Sequence, residues 1–572
     1  MSMETLFTTQ KPRQAGSALL LTMIMLSVAL IILAAALSWS ATSTRLTYRS
    51  IQYTRSVAAA EAATEKVASR IEHDFLYYGE DTVVNNLNAY RNVVPLSSDS
   101  AYWSTWQFND ASGNTNQTYV QHGSSVSYTN IDPPYNNLQG NISTYTVVSD
   151  AKDTASPQDL TVGVLQQLQL VTIPIFQYAL FSSGNMEISC GEPFDITGPV
   201  HSNGHLYVEP DSTMTFESEV GAVLDILYQR DPLDTRHSPA GHAFFAEANQ
   251  PSSPVPYLTL PIGMDNTPEA VREIIEPPPL GEDLNSPLGI LRYYNSCNML
   301  VTVSDTGVSA SINHGATPIP TDELMTFVSI DNNFYDAREG KTVKPIDLNI
   351  ENLVAWGRTN THLLNPSSVY VDDRRTPLTL SASDLGAVRV FKGATLPLNG
   401  LTVATGRPLY VQGDYNSDSA NRGTANTSLT EPASLVADAI TILSDGWTDP
   451  NSTSPVGSRL AEDTTVNAAF LTGVVETTLG QYSGGMENFP RFLETWGSVK
   501  FTYNGSMIKM FPSLYATNAW ENNNNIYKPP TRNWALDTNF RDPLKLPPKT
   551  PRVLKVFRHQ WATLPPGQTV AP

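Results

Sequence analysis

A long stretch near the amino terminus limits what this chain can fold into more than any other feature. From Ser17 to Tyr78 there is neither Gly nor Pro over 62 residues, although the whole chain contains 34 Gly and 41 Pro. Residues 18–39 carry no charge, and they are numerous enough to cross a hydrocarbon core of about 30 Å at 1.5 Å per residue. A secretory signal peptide would have a shorter apolar core with a cleavage site just beyond it. The sequence therefore predicts a transmembrane helix that continues past the membrane.

The second half of this stretch has the pattern of a helix that packs on a soluble domain. Its apolar and small residues recur at spacings of three and four and so share one face: Ala60, Thr64, Val67, Ile71 and Phe75. Glutamates at positions 61, 65 and 72 largely occupy other faces. Gly79 is suited to end the helix. We expect one helix over residues 17–79 with its transmembrane part at 18–39.

The charge distribution favours a location beside a membrane and argues against nucleic-acid binding. The formal net charge is -20, yet residues 1–72 carry a net +3 and the remainder carries -23. A basic segment beside an apolar run suits anionic lipid headgroups. Nucleic-acid binding needs clustered Lys and Arg, which the acidic remainder lacks. No nucleic-acid partner is expected.

The residues around the start of the apolar run resemble a known type of processed leader. KPRQAG at residues 11–16 is followed by SALLL, and this junction resembles the class III leaders of type IV pilins and type II secretion pseudopilins. The resemblance implies that a prepilin peptidase cuts between Gly16 and Ser17, with Lys11 and Arg13 as the basic element. An ordinary signal-anchor helix is the alternative.

Two further features refine this resemblance. AAAEAATEKV at residues 58–67 is similar to the PilX-type minor pilins. Most pilins carry Glu at the fifth mature position, where it pairs with the amino terminus of a neighbouring subunit, but here that position is Leu21. PilX-type minor pilins and the K-type pseudopilin share this absence.

The chain after Gly79 consists mainly of strand and turn patterns. Residues 80–180 predict a polar, strand-rich segment that packs on the helix, and residues 542–572 an extended strap. Between them, at 181–541, short alternating apolar segments with Gly and Asn corners predict a parallel β-helix or similar solenoid, with Pro-rich excursions near 225–375. A β-sandwich remains an alternative. The expected fold class is α+β, with a long pilin-like transmembrane helix and a mostly β head.

The head also resembles the large PilX-related proteins of Verrucomicrobia- and Planctomycetes-type bacteria. The resemblance rests on FQYALFSSGNMEI, GPVHSNGHLYV, YSGGMENFPRFLE and RNWALDTNF, which begin at residues 176, 198, 482 and 532. It implies a position in an assembly and no chemistry.

Few residues in the head suggest a site. Cys190 and Cys297 could form one disulfide or could be two unrelated buried thiols. Asp414, Asn416 and Asp418 match the start of a calcium loop, but the sixth-position Gly and twelfth-position Glu are absent. His201, in HSNG, fits a turn better than a ligand. No catalytic residue and no cofactor is expected; a looser calcium site in the loop at residues 414–418 is an alternative to a solvated loop.

These observations together predict a non-enzymatic minor pilin or pseudopilin-like subunit of a type IV pilus or type II secretion-like filament. We expect a tip or initiating position, a single pass through the bacterial inner membrane, and an acidic head in the periplasm or outside the cell. The expected partners are other pilins through the helix, the prepilin peptidase and the inner membrane. The alternative functions are a membrane-tethered β-helix enzyme that acts on polysaccharide and a surface adhesin.

Overall fold

A computed structural model of the protein describes residues 17–568, except for positions 132, 134, 136, 237–240, 247–249, 313–314, 361–362, 377–379, 519 and 521–524. The leader positions Lys11, Arg13 and Gly16 lie outside the described residues.

The long helix spans Ser17–Tyr78 without interruption. It ends where Gly79 adopts a positive φ of 82°, a conformation that costs a glycine little because it has no Cβ. Two short helices follow, Glu80–Asn85 and Leu87–Tyr90. The sequence prediction of a long apolar helix ahead of a large β-rich region is confirmed.

An antiparallel sheet covers the carboxyl-terminal half of the long helix; we call it the docking sheet. Its strands are Trp106–Asn109, Tyr119–Asn130, Gln139–Asp153, Thr161–Pro174 and Arg552–Leu564. The last of these strands comes from the end of the chain and pairs with Thr161–Pro174. The docking sheet therefore combines strands from near the start and from the end of the chain.

The head is an insertion between two neighbouring strands of the docking sheet. The chain leaves the docking sheet after Pro174 and returns at Arg552, and these two residues are register partners. The Ile175 amide donates to the Pro551 carbonyl at 3.0 Å, so the entry and exit of the insertion touch. The head and the docking sheet share one apolar core, which includes Val171 and Val553.

Two long sheets form most of the head. Sheet A runs, in spatial order, through Val220–Ala222, Val200–Ser202, Leu180–Ser182, Met507–Pro512, Ala469–Val474, Ala433–Ala437, Leu401–Ala404, Ser368–Asp373, Met299–Ser304, Gly307–Ile312 and Thr317–Ile319. Neighbouring strands of sheet A are parallel, except that Gly307–Ile312 pairs antiparallel with the strand on each side of it. Many of its strands are buried along their whole length, as parallel strands covered on both faces usually are.

Sheet B is the second long sheet of the head, and most of its neighbouring strands are also parallel. Its path is Val328–Ser329, Lys341–Asn349, Asp384–Gly393, Leu409–Tyr415, Thr464–Asn467, Lys500–Asn504 and Thr531–Ala535, with side branches Phe334–Asp336, Ile440–Leu443 and Pro490–Phe492. Two small parallel sheets comprise His242–Phe245, Thr213–Phe216 and Phe194–Ile196, and Ile226–Leu227, Leu206–Val208 and Met186–Ile188. At one end of sheet A the strands pair at regular intervals along the chain: Leu180 with Val200, and Val200 with Val220.

Helices in the head are short. The α-helices are Pro268–Arg272, Pro287–Leu291, Tyr293–Ser296, Thr321–Leu324 and Ile350–Thr359. The remaining helical turns of the chain are 3-10 turns at Ala101–Thr105, Ile175–Gln177, Glu273–Ile275, Asp449–Asn451, Val456–Ser458, Met486–Asn488, Thr538–Arg541 and Pro543–Lys545. The head therefore depends on its sheets for rigidity.

Candidate functional site

The amino-terminal half of the long helix is an exposed apolar rod. Every residue from Ser17 to Ile51 is exposed, which corresponds to a length of about 50 Å at 1.5 Å per residue. The helix is long and apolar enough to cross a membrane, and its most apolar window is entirely unburied. A soluble surface rarely exposes so much contiguous apolar area. This rod therefore requires a lipid or protein environment.

Hydroxyl groups along the rod already have partners within the helix. Thr22 Oγ1 donates to the Leu19 carbonyl at 2.9 Å, and Thr42 Oγ1 donates to the Ser38 carbonyl at 2.8 Å. Such bonds remove the need for water, and hydrocarbon supplies none. These hydroxyl groups are thus compatible with burial in an apolar environment, whereas the charged Arg45 and Arg49 lie beyond the apolar run.

Leu21 lies on the exposed part of the rod, with 61% of its surface accessible. The sequence contains no acidic residue between Ser17 and Ala60. The rod therefore has no carboxylate that could pair with a positively charged amino terminus of another subunit.

The carboxyl-terminal half of the helix packs closely on the docking sheet. Small residues allow the backbone to approach the sheet, and larger apolar residues fill the space further along. The fully buried members include Ala60, Ala63, Val67, Ile71 and Phe75, each 0% exposed. The sheet supplies Tyr145, Leu168 and Leu170 to the core cluster that contains the last three of these residues. The two alanines pack in a second cluster, with Phe108 and Val164 of the same sheet. The alanine-rich segment at residues 58–67 is thus a packing surface.

Ion pairs fix both edges of the docked half. Lys66 Nζ lies 2.6 Å from Asp99 Oδ2. On the other edge, Arg558 from the carboxyl-terminal strand lies 3.2 Å from Glu65 and 3.4 Å from Glu72. These pairs are half-exposed, so each contributes no more than about 1 kcal/mol. They set the rotation of the helix on the sheet more than they stabilise it.

Asp74 is a buried carboxylate beneath the end of the helix. It accepts a hydrogen bond from the Tyr90 hydroxyl at 2.8 Å and one from Asn86 Nδ2 at 3.1 Å. Burial acts to raise the pKa of Asp74, but the bonds from Tyr90, His73 and Asn86 outweigh it, and the pKa is lowered. Asp74 therefore joins the long helix to the short helices that follow it.

The structure has Cys190 and Cys297 as free, buried cysteines, so the candidate disulfide is not formed in it. Burial raises the pKa of Cys190 to about 12 and that of Cys297 to about 11. Both thiols stay protonated at neutral pH and pack as small apolar side chains.

The three candidate calcium ligands do not form a ligand set, because each side chain already has protein partners. Asp414 accepts from Arg422 Nε at 2.5 Å and from the Thr465 amide at 2.8 Å. Asp418 accepts from the amides of its own turn. Asn416 is buried and donates to the Glu431 and Asn467 carbonyls at 2.6 and 2.8 Å. Within the described residues, no group of three or more His, Cys, Asp or Glu could hold a metal ion.

His201 is part of the core. It stacks on Phe181 with the ring centroids 5.4 Å apart, and its Nε2 lies 2.9 Å from Asn203 Oδ1. Burial lowers the pKa of His201 to about 4, which keeps the imidazole neutral. Asn203 in turn donates to the Leu258 carbonyl at 2.8 Å. The HSNG segment thus forms a structural corner.

Sequence analysis missed the residues of the carboxyl-terminal strand that hold the helix. Arg558 lies 392 residues after Gln166, which it contacts at 3.1 Å, and no local pattern connects positions so far apart. The signal in the sequence is the β-branched and aromatic content of residues 553–557, VLKVF, which favours a strand but does not identify the strand that pairs with it.

Comparisons with known proteins give little further information. No family model matches the chain, and no curated protein matches it. Among solved structures, the chain is similar to the competence-associated pilin ComZ from Thermus thermophilus, with 12% identity and a TM-score of 0.27, over 89% of this chain and 97% of that chain. A likeness this distant carries no argument, so the function is argued from the helix and the head alone.

Proposed function

We propose that this protein is a minor pilin or pseudopilin-like subunit of a type IV pilus or type II secretion-like filament. The observation that carries the proposal is the division of a single helix into two parts. Residues Ser17 to Ile51 are exposed and mostly apolar at first, whereas the part from Gln52 to Phe75 is clamped on a sheet. Because the apolar helix protrudes from a rigid head, it can move from lipid to contact with the helices of other subunits while the head keeps its fold.

In this proposal the helix crosses the inner membrane once before assembly. The leader, with Lys11 and Arg13, stays on the cytoplasmic side, where the peptidase would cut it, and the acidic head lies in the periplasm or outside the cell. After cleavage between Gly16 and Ser17 by a prepilin peptidase, the apolar rod packs against the helices of other pilins.

We also propose that the head is a parallel β-helix. Stacked parallel pairs such as Leu180 with Val200 and Val200 with Val220 support a coiled path. So does a chain of buried asparagines: Asn504 Nδ2 donates to Asn467 Oδ1, and Asn467 Nδ2 donates to the Asn416 carbonyl, both at 2.8 Å. Amide ladders of this kind stabilise stacked strands.

The absence of a carboxylate at Leu21 supports a PilX- or K-type role within the filament. A charge pair removed from water is favourable only when both partners are present. A subunit without the carboxylate is poor at joining beneath an existing subunit, but it can be the first one. We therefore place the protein at the filament tip or in an initiating complex.

The leader junction provides the first test. In Gly16→Glu, a charged side chain occupies the position before the cut, and we expect cleavage to fail. Intact-mass measurement of the membrane-extracted wild type should show loss of residues 1–16, whereas the variant should retain them.

Gln14→Glu is the matched control, because it adds the same charge while keeping Gly16. We expect it to be cut like the wild type. A wild-type protein that retains Met1 to Gly16, or one cut beyond Trp39, would contradict the proposed function.

A further inference from the structure

The head has a wide cleft that the proposed function does not use. Its volume is about 760 Å³, within the range of about 300–1,000 Å³ typical of small-molecule sites. The floor consists of outward-facing residues from three adjacent parallel strands of sheet B, Lys341–Asn349, Asp384–Gly393 and Leu409–Tyr415. Residues 331–335 and 447–453 form the two walls.

A buried arginine organises the polar groups of this cleft. Arg389 Nε lies 2.6 Å from Asp347 Oδ1, and Arg389 Nη1 lies 2.6 Å from Asp449 Oδ1. The Trp447 indole also donates to Asp449 Oδ1, at 3.0 Å. Burial acts to lower the pKa of Arg389, but its bonds to the two aspartates outweigh that effect and raise it. The guanidinium thus fixes both carboxylates in place before any ligand arrives, which lowers the entropic cost of binding.

The charge of the cleft excludes anionic ligands. Among its lining residues Arg389 is the basic group, and it is shared between Asp347 and Asp449, while Asp331 adds a third carboxylate on the rim. A phosphate or uronic acid would meet a net negative charge. A cation could not bind between the two aspartates, because the guanidinium already occupies that space. The Asp347 side chain is only 1% exposed, whereas the Asp449 side chain is 20% exposed.

The remaining lining groups match a ligand that carries many hydroxyls. They are mostly uncharged amides and hydroxyls, including Asn332, Asn333, Gln412, Thr342 and Ser452. Amides and hydroxyls both donate and accept hydrogen bonds, and a fixed carboxylate accepts two at once. Tyr335 and Phe391 are half-buried and offer apolar surface next to these polar groups, where the C–H face of a sugar ring can lie.

We propose that this cleft binds a neutral oligosaccharide, with Asp449 and Asn333 as direct contacts. The test uses the full chain in detergent micelles and isothermal titration with hexasaccharides of glucose, mannose and galactose, uronic-acid oligosaccharides and chitosan oligosaccharides. We expect a neutral hexasaccharide to bind. We expect Asp449→Asn and Asn333→Ala each to weaken its binding by about three- to tenfold, as loss of a hydrogen bond in a formed site does.

Glu192→Gln is the control, since Glu192 is exposed and does not line the cleft. It should leave binding unchanged, and thermal melting should show that Asn333→Ala, at an exposed position, remains folded. Binding of only the uronic or chitosan oligosaccharides, binding of none of the panel, or equal weakening by Glu192→Gln would overturn the proposal. Because the measurement needs no filament, its outcome is independent of the proposed assembly role.

Discussion

At the scale of single residues, two glutamates of the head, the buried Glu494 and the half-buried Glu187, couple its stability to pH. Burial raises the pKa of Glu494 to about 7, and it does the same for Glu187. Glu494 is 1% exposed and accepts from the Ser444 hydroxyl at 2.7 Å and the Ser444 amide at 2.6 Å. Between about pH 4.5 and 7 the folded head holds a proton that the unfolded chain releases. Stability is therefore lost as the pH rises through this window.

Glu494→Gln should remove part of this dependence, since the amide oxygen can accept from the Ser444 amide while the amide N–H donates to Ser444 Oγ. The difference in pKa corresponds to roughly 3 kcal/mol at pH 8. We expect the melting temperature of the wild type to fall more steeply from pH 5 to pH 8 than that of the variant. Glu192→Gln, at an exposed position, should follow the wild-type curve. Parallel curves for Glu494→Gln and wild type would show that Glu494 is ionised in the fold.

At the scale of elements, the long helix lies in two environments: it is exposed before Gln52 and packs on the docking sheet from Gln52 onward. From there to Phe75 it fills one face of the docking sheet. Fully burying a side chain such as Val67, Ile71 or Phe75 contributes about 1.5–3 kcal/mol. The soluble unit should therefore begin near residue 52, well before the end of the helix.

Two truncated proteins test this boundary. Residues 52–572 should be soluble without detergent and unfold cooperatively, because the sheet keeps its helix. Residues 80–572 should expose the sheet face, bind a hydrophobic dye and aggregate. If both fragments behave alike, the packing of the helix on the docking sheet does not matter for the stability of the head.

The same elements show how far the sequence could predict the fold. The helix is evident because 62 residues without Gly or Pro leave few alternatives, and strands such as Met186–Ile188 and Leu206–Val208 show in the local alternation. Pairing is different. Asp347, Arg389 and Asp449 come together in the cleft from positions 42 and 60 residues apart. Loops of unequal length separate them, so no repeat in the sequence aligns them.

At the scale of the whole molecule, the head is connected to the docking sheet through two adjacent strands. The entry at Ile175 and the exit at Pro551 are hydrogen-bonded, and the shared core makes the two parts continuous. In the filament that we propose, a head this large would crowd a close-packed shaft but would fit at an end. The missing carboxylate at Leu21 supports the same proposed position by an independent electrostatic argument.

Labelling of sheared filaments with gold-conjugated antibody against the head tests the central claim most directly. The account predicts sparse labels at filament ends, far fewer than the copies of a major pilin. Dense labelling along the shaft, or filaments that carry no label at all, would contradict it.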